Sequence, residues 1–220
     1  MLYTTQEKEN VLRLLQSGQN ASIELGIEIA KSLEIDICEF IADTEILYEW
    51  MMTGVGYQAW EISLVNQFKI TYSTHILGLS SLYISEIPVQ IRHMNQLTEL
   101  YLSDNYIKDL PMELEVLTNL KTLDLAKNQL NGLPKHLFKL ITLENLNLEG
   151  NKLQEVSSEI AKLQYMKTLN LQNNQLRSLP EEIKQLTQLI VLHLSGNPLK
   201  IEDIAQIRVW LPKCNIIFFK

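Results

Sequence analysis

The 220-residue sequence is short of several things, and each shortage excludes something. It has two cysteines, Cys38 and Cys214, far apart and in no CxxC pair, so neither a disulfide framework nor a thiolate zinc site is expected and reduced thiols fit a cytoplasmic chain. No uncharged apolar run approaches the ~20 residues that a membrane-spanning helix needs, and the opening Met-Leu-Tyr-Thr-Thr-Gln-Glu-Lys-Glu-Asn lacks the apolar stretch of a secretion signal. The expectation is a protein without a membrane. Glycine (8) and proline (6) are sparse and no low-complexity linker divides the chain, so it should pack as one body. There is no basic stripe either. The net charge is -7, and residues 1–73 carry 11 acidic against 4 basic side chains while 74–220 carry 15 of each, so no nucleic-acid partner is expected.

Chemistry-bearing motifs are missing too. Gly54-Val-Gly56-Tyr-Gln-Ala59 matches GxGxxA, but the preceding residues 46–52 read as helix and no acidic side chain follows about 20 positions later to hold a ribose, so a loop between helices is the better reading. The four histidines, His75, His93, His136 and His193, share no motif with cysteines or carboxylates. No catalytic residue, no metal and no cofactor is assigned. Asn20-Ala21-Ser22 matches a glycosylation sequon, but in a cytoplasmic chain Asn20 reads as a helix cap.

What is present is a repeat. Leu97-Thr-Glu-Leu-Tyr-Leu-Ser-Asp-Asn105-Tyr-Ile107 superimposes on Leu120-Lys-Thr-Leu-Asp-Leu-Ala-Lys-Asn128-Gln-Leu130 at an offset of 23, and the offset continues through Leu143…Asn151, Met166…Asn174 and Leu189…Asn197. An earlier, degenerate unit keeps Leu77, Leu79, Ile84, Ile87, Pro88 and Ile91 in step but has Leu82 in place of the asparagine, as a terminal capping unit does. In Leu100-Tyr101-Leu102 the leucines alternate with other residues at period two, so each unit holds a short strand with one side turned to a core. No unit can bury its leucines alone, so stacking on neighbours supplies the burial. Asn105, Asn128, Asn151, Asn174 and Asn197 stand where the chain turns inward after the strand, and an amide there can serve backbone groups that the turn leaves unpaired. Pro88, Pro111, Pro134 and Pro180 preset φ for the return leg, whereas the matching position after Val156 is Ser157, so that unit is expected to bend differently.

The pattern LxxLxLxxNxL, followed by LPxxLxxL as in Leu110-Pro111-Met-Glu-Leu114-Glu-Val-Leu117, resembles the leucine-rich repeat family over residues 74–199. The stretch Leu14 to Leu33 resembles a segment ahead of the repeats in some bacterial leucine-rich repeat proteins, and this resemblance implies a chain of bacterial type. The resemblance implies an α/β fold, a right-handed solenoid with parallel strands on the concave face. The expected organisation is a mainly helical N-terminal cap (1–73), six repeats of period 23 (74–199) and a helix-strand C-terminal cap (200–220).

Helical spacing supports the caps at both ends: Thr4 to Leu15 and Ser22 to Leu33 as a hairpin, and Ile201, Ile204, Ile207, Trp210 and Leu211 as the inward face of a helix ended by Pro212, with Trp210 plugging the core and 216–219 as a last strand. Residues 38–73, with Trp50, Trp60 and Phe68, read as further helix and then a strand reaching Ile76, covering the open end of the first repeat.

The concave face is the one site-like surface. Strand alternation sets Gly78, Tyr101, Asp124, Asn147, Asn170 and His193 in a central row, flanked by Glu99, Thr122, Asn145, Thr168 and Val191 on one side and by Ser103, Ala126, Glu149, Gln172 and Ser195 on the other. The expected function is a non-catalytic adaptor or regulator, a monomer that holds a protein or peptide on Glu99, Tyr101, Ser103, Thr122, Asp124, Asn145, Asn147, Thr168, Asn170, Gln172 and His193. The alternative is an enzyme with its active site in residues 1–73, where Trp50, Trp60 and the paired glycines line a pocket and the repeats recognise substrate.

Overall fold

A computed structural model describes residues 4–17, 19–32, 42–44, 47 and 74–219. Residues 74–219 build seven parallel strands in sequence order: β1 (Ile76–Gly78), β2 (Glu99–Tyr101), β3 (Thr122–Asp124), β4 (Asn145–Asn147), β5 (Thr168–Asn170), β6 (Val191–His193) and β7 (Asn215–Ile217). Each strand is one turn of a right-handed α/β solenoid. The middle residue of every strand, from Leu77 through Leu100, Leu123, Leu146, Leu169 and Leu192 to Ile216, points inward and is buried, while its two neighbours face out on the concave side. Period-two alternation inside a 23-residue period thus produces an inner leucine stack and an outer polar sheet.

The return legs are five 3₁₀ helices, Val89–His93, Met112–Val116, Lys135–Lys139, Ser158–Lys162 and Glu181–Gln185. Four start after a proline whose ψ lies between 145° and 151°. The fourth starts after Ser157, and here the expectation of a different bend is corrected. Ser157 holds φ -62 and ψ 147, and its hydroxyl accepts a hydrogen bond from the Glu159 N–H at 3.2 Å, so a side-chain cap does what ring closure does elsewhere. The helices carry one buried aliphatic each, such as Leu114 or Ile160, and the third buries Phe138 as well.

At the N-terminus, α1 (Thr5–Leu15) begins with a capping box in which Thr4 and Glu7 serve each other's backbone N–H. α2 (Asn20–Ser32) packs against it, and Gly26 makes the contact possible: a Cβ there would sit 3.1 Å from Leu14 Cβ and Leu15 Cδ2. Helical bonding in α2 starts one residue ahead of Asn20, the cap that the sequence suggests. Asn20 is the first helical residue, and the Gln19 carbonyl takes the first helical bond, from Ile23 N–H at 2.9 Å. Leu47 joins the core of the repeats, but Trp50, Trp60, Phe68 and the two glycines of residues 54–56 lie outside the described residues.

At the other end, α3 (Ile201–Trp210) and β7 cover the last repeat. Ile204, Ile207, Leu211 and Ile216 enter the core. Two expectations fail here. Ile201 is 64% exposed, because it begins the helix outside the stack, and Trp210 is half-buried, packing against the core from the rim of a small pocket instead of filling it. Among the described residues no helix is long and apolar enough to cross a membrane.

Candidate functional site

The concave site rests on the turn that follows each strand. All five ladder asparagines are buried, and each bridges two repeats. Asn151 is representative: its Oδ1 accepts from Leu130 N–H at 3.0 Å in the preceding repeat, while its Nδ2 donates to Leu125 O at 2.9 Å and Leu148 O at 3.1 Å. The carbonyls are shared. Leu125 O accepts from both Asn128 and Asn151, and Leu148 O from both Asn151 and Asn174. In the first repeat, where Leu82 replaces the asparagine, Asn105 Oδ1 accepts from both Leu82 N–H and Ile84 N–H.

Sequence reasoning missed the residue just before the ladder. Ser81, Asp104, Lys127, Gly150, Asn173 and Gly196 all have positive φ, between 51° and 72°. This left-handed step reverses the chain after each strand, and its signal was present in the Gly-Asn pairs at 150–151 and 196–197. Ser81 and Lys127 are the costly members, since only glycine takes this conformation freely and Asn or Asp tolerate it.

Pinned in this way, the strands pair with one register throughout: Gly78, Tyr101, Asp124, Asn147, Asn170, His193 and Ile217 form one row, and Glu99, Thr122, Asn145, Thr168, Val191 and Asn215 another. A shallow groove of about 240 Å³ runs across β2 to β6, lined by Tyr101, Thr122, Asp124, Asn145, Asn147, Thr168, Asn170 and His193, with Leu123 and Leu146 at its floor. Of the remaining expected residues, Glu99 touches the groove through Tyr101, whose hydroxyl donates to Glu99 Oε2 at 2.6 Å; this bond raises the Tyr101 pKa. Gln172 Nε2 lies 3.3 Å from His193 Nδ1, and Ser103 bonds Ser80 at 2.9 Å beyond the groove's edge. Asn170 ties the rows together, its amide donating to Glu149 Oε2 at 3.1 Å while its oxygen accepts from Gln172 N–H at 3.1 Å. The surface therefore offers fixed amides and carboxylates, and no lysine or arginine stands in its three rows.

A second polar cluster was invisible in the sequence. Asp43, nearly buried, receives Arg92 Nη2 at 2.6 Å, Gln90 Nε2 at 3.1 Å and His93 Nε2 at 3.0 Å, fastening the N-terminal part to the first 3₁₀ helix. Burial raises the Asp43 pKa, but the hydrogen bonds from His93 and Gln90 and the Arg92 charge outweigh it, leaving the carboxyl below its usual range. His93 is lowered, chiefly by burial, against the pull of Asp43. At the far end, burial pushes the Cys214 thiol up to about 11, so it is protonated and a poor nucleophile at neutral pH. No group of three or more potential metal ligands occurs among the described residues.

Comparison with known proteins agrees with this architecture. The leucine rich repeat family model matches residues 95–153 and 141–199. Among solved structures, a leucine-rich repeat protein of Leptospira interrogans is 31% identical with a TM-score of 0.55, over 70% of this chain and 50% of that one. The plant peptide hormone receptor RGFR1, in complex with RGF2, is 34% identical (TM-score 0.56; 65% of this chain, 24% of that one), and Toll of Drosophila, in its complex with Spatzle, is 29% identical (TM-score 0.58; 66% and 21%). The chain thus spans half or less of the length of these relatives. No curated protein matches it in sequence. With a repeating motif, a parallel sheet and an asparagine ladder all in one 23-residue phase, the chain belongs to the leucine-rich repeat proteins.

Proposed function

We propose that the chain is a non-catalytic binding module that holds a protein or an extended peptide on its concave face, as an adaptor or regulator. The observation that carries this is the groove across β2 to β6, where side chains from five strands converge with their orientations already fixed by hydrogen bonds. Preorganised side chains lose little entropy on binding, so such a surface favours association. The family generally serves as an interaction scaffold, and two of its similar structures are complexes with protein or peptide ligands. The enzyme alternative rests on residues outside the described ones, and no observation favours it.

The test is capture of a partner by the full chain and its loss on substitution. Tyr101→Ala, Asp124→Arg, Asn147→Trp and Asn170→Arg alter the groove; Lys135→Glu, Lys162→Glu and Lys184→Glu alter charge on the return legs. Capture is expected to vanish with the first set and persist with the second; the exposed lysine changes should leave the melting temperature nearly unchanged, at less than about 0.5 kcal/mol, whereas the groove side chains are half-buried and hydrogen-bonded, so circular dichroism checks that each of those variants is folded. The reverse pattern excludes the concave face.

A further inference from the structure

We infer that the occupant of the concave groove is an extended segment bearing lysine or arginine; this rests on the concave reading above and names the chemistry of the partner. The three carboxylates nearest the groove descend a diagonal: Glu99 on β2, Asp124 one strand over and two residues along, and Glu149 again one strand over and two along. With strands ~4.8 Å apart and ~3.3 Å per residue, each step is roughly 8 Å, between two and three residues of extended chain. Every one of these carboxylates is oriented by a neutral donor: Tyr101 Oη on Glu99 at 2.6 Å, Ala126 N–H on Asp124 at 3.0 Å, and the Asn170 and Asn173 amides on Glu149 at 3.1 and 3.4 Å. Among the described residues none of the three is in an ion pair, whereas Glu115, Glu144, Glu159 and Glu181 each hold a lysine on the return legs or just ahead of a strand.

An ionised carboxylate accepts up to about four hydrogen bonds, so each of the three keeps open lone pairs, Asp124 in the groove lining and Glu99 and Glu149 beside it. A cation brought there finds acceptors already placed, plus the Tyr101 ring in the same row as Asp124, and gains charge-assisted bonds. The amides of Asn145, Asn147 and Asn170 can serve the backbone of the same segment. Two lysines ahead of the strands, Lys121 and Lys167, flank Glu144, and Lys127 stands beyond the strand ends; these rims repel a cation and confine it to the diagonal.

The probe is a short synthetic peptide of lysines separated by one or two serines, with glutamine and glutamate counterparts, titrated by fluorescence anisotropy against the full chain at low salt. The lysine peptide is expected to bind at least about tenfold more tightly than the glutamine one, as charge-assisted bonds warrant, and the glutamate peptide not at all. Asp124→Asn combined with Glu149→Gln should weaken the lysine peptide about tenfold. Glu86→Gln combined with Glu155→Gln removes the same charge from exposed sites outside the groove and should change nothing. The inference is overturned by equal weakening in both double variants, by no weakening in the first, by equal binding of lysine and glutamine peptides, or by no binding of the lysine peptide. Asn147→Trp separates the two levels, because it blocks the groove without changing charge. If it abolishes binding that is indifferent to lysine and to the double variants, the concave reading stands and the cationic occupant falls. If the lysine peptide binds Asn147→Trp unchanged, both fall. Circular dichroism of each variant confirms that it is folded.

Discussion

Replacing Asn151 by leucine removes the one acceptor that the ladder supplies to Leu130 N–H and one of two ladder donors to each of Leu125 O and Leu148 O. The two carbonyls keep Asn128 and Asn174. The net loss is therefore one orphaned buried N–H, worth about 1–3 kcal/mol, with weakened but surviving bonds at the carbonyls. Near 2 kcal/mol, a chain of this size should lose about 4–8 °C in Tm. A calorimetric or circular-dichroism melt measures this, with the exposed Asn131→Leu as the control expected to change little. Sharing supplies a sharper test. In the double variant Asn151→Leu/Asn174→Leu, Leu148 O loses both donors, so the pair should cost more than its two single variants combined by about 0.5–3 kcal/mol. Asn105→Leu/Asn174→Leu, which share no carbonyl, should be additive within about 0.5 kcal/mol. A Tm unchanged in Asn151→Leu, or additivity in both pairs, refutes the reasoning.

The left-handed step makes an opposite pair: Lys127→Gly should be neutral or stabilising by up to about 1 kcal/mol because strain is relieved, while Gly196→Ala, whose Cβ would press on Asn173, should destabilise by more than about 1 kcal/mol. Denaturant midpoints of both decide it, and a stabilised Gly196→Ala contradicts the account. For pH, His93 has a folded-state pKa below its usual 6.5, so the unfolded chain takes up that proton first; its stabilising contribution is complete above about 6.5 and drains as pH falls from there. Asp43, lowered from 3.8, adds a loss only below about pH 4. His93→Gln should thus flatten the fall in Tm just below about pH 6.5, and equal slopes in variant and parent would dismiss the assignment. Deleting residues 200–220 strips Ile204, Ile207, Leu211 and Ile216 from the core and should yield aggregates by light scattering; a soluble monomer melting as the parent does would show that α3 and β7 are dispensable.

The repeats were legible because their physics is local and recurrent. Once Leu100 and Leu123 are in phase, Tyr101 and Asp124 must be neighbours on the sheet, and the same alignment delivered both the ladder and the groove. Where the period is silent, reading failed. Asp43 lies ahead of the repeats and meets Arg92 and His93 about fifty residues later in the first of them, and nothing in either segment names the other. The positive φ before each asparagine was obscured by Lys127, a residue type with no left-handed preference, and Ser157 looked anomalous because its cap acts through a side-chain oxygen that a pattern of prolines does not encode. Ile201 is exposed and Trp210 only half-buried against the core because helical spacing identifies a face but not how far the last repeat extends beneath it.

The single register of the sheet has one more consequence. Neighbouring strands offer side chains ~4.8 Å apart along a row, while an extended chain laid along that row advances ~3.3 Å per residue. The two rulers coincide only when about three ligand residues have passed two strands, at nearly 10 Å. A partner lying straight along the face is thus sampled like a vernier scale, and because its side chains alternate between its two sides, the same phase and the same facing return only after about six residues and four strands. Sliding by one strand exchanges Asp124 for Asn147 or Tyr101 and breaks the match, so the unequal side chains of the row favour one seating of such a ligand over its shifted alternatives.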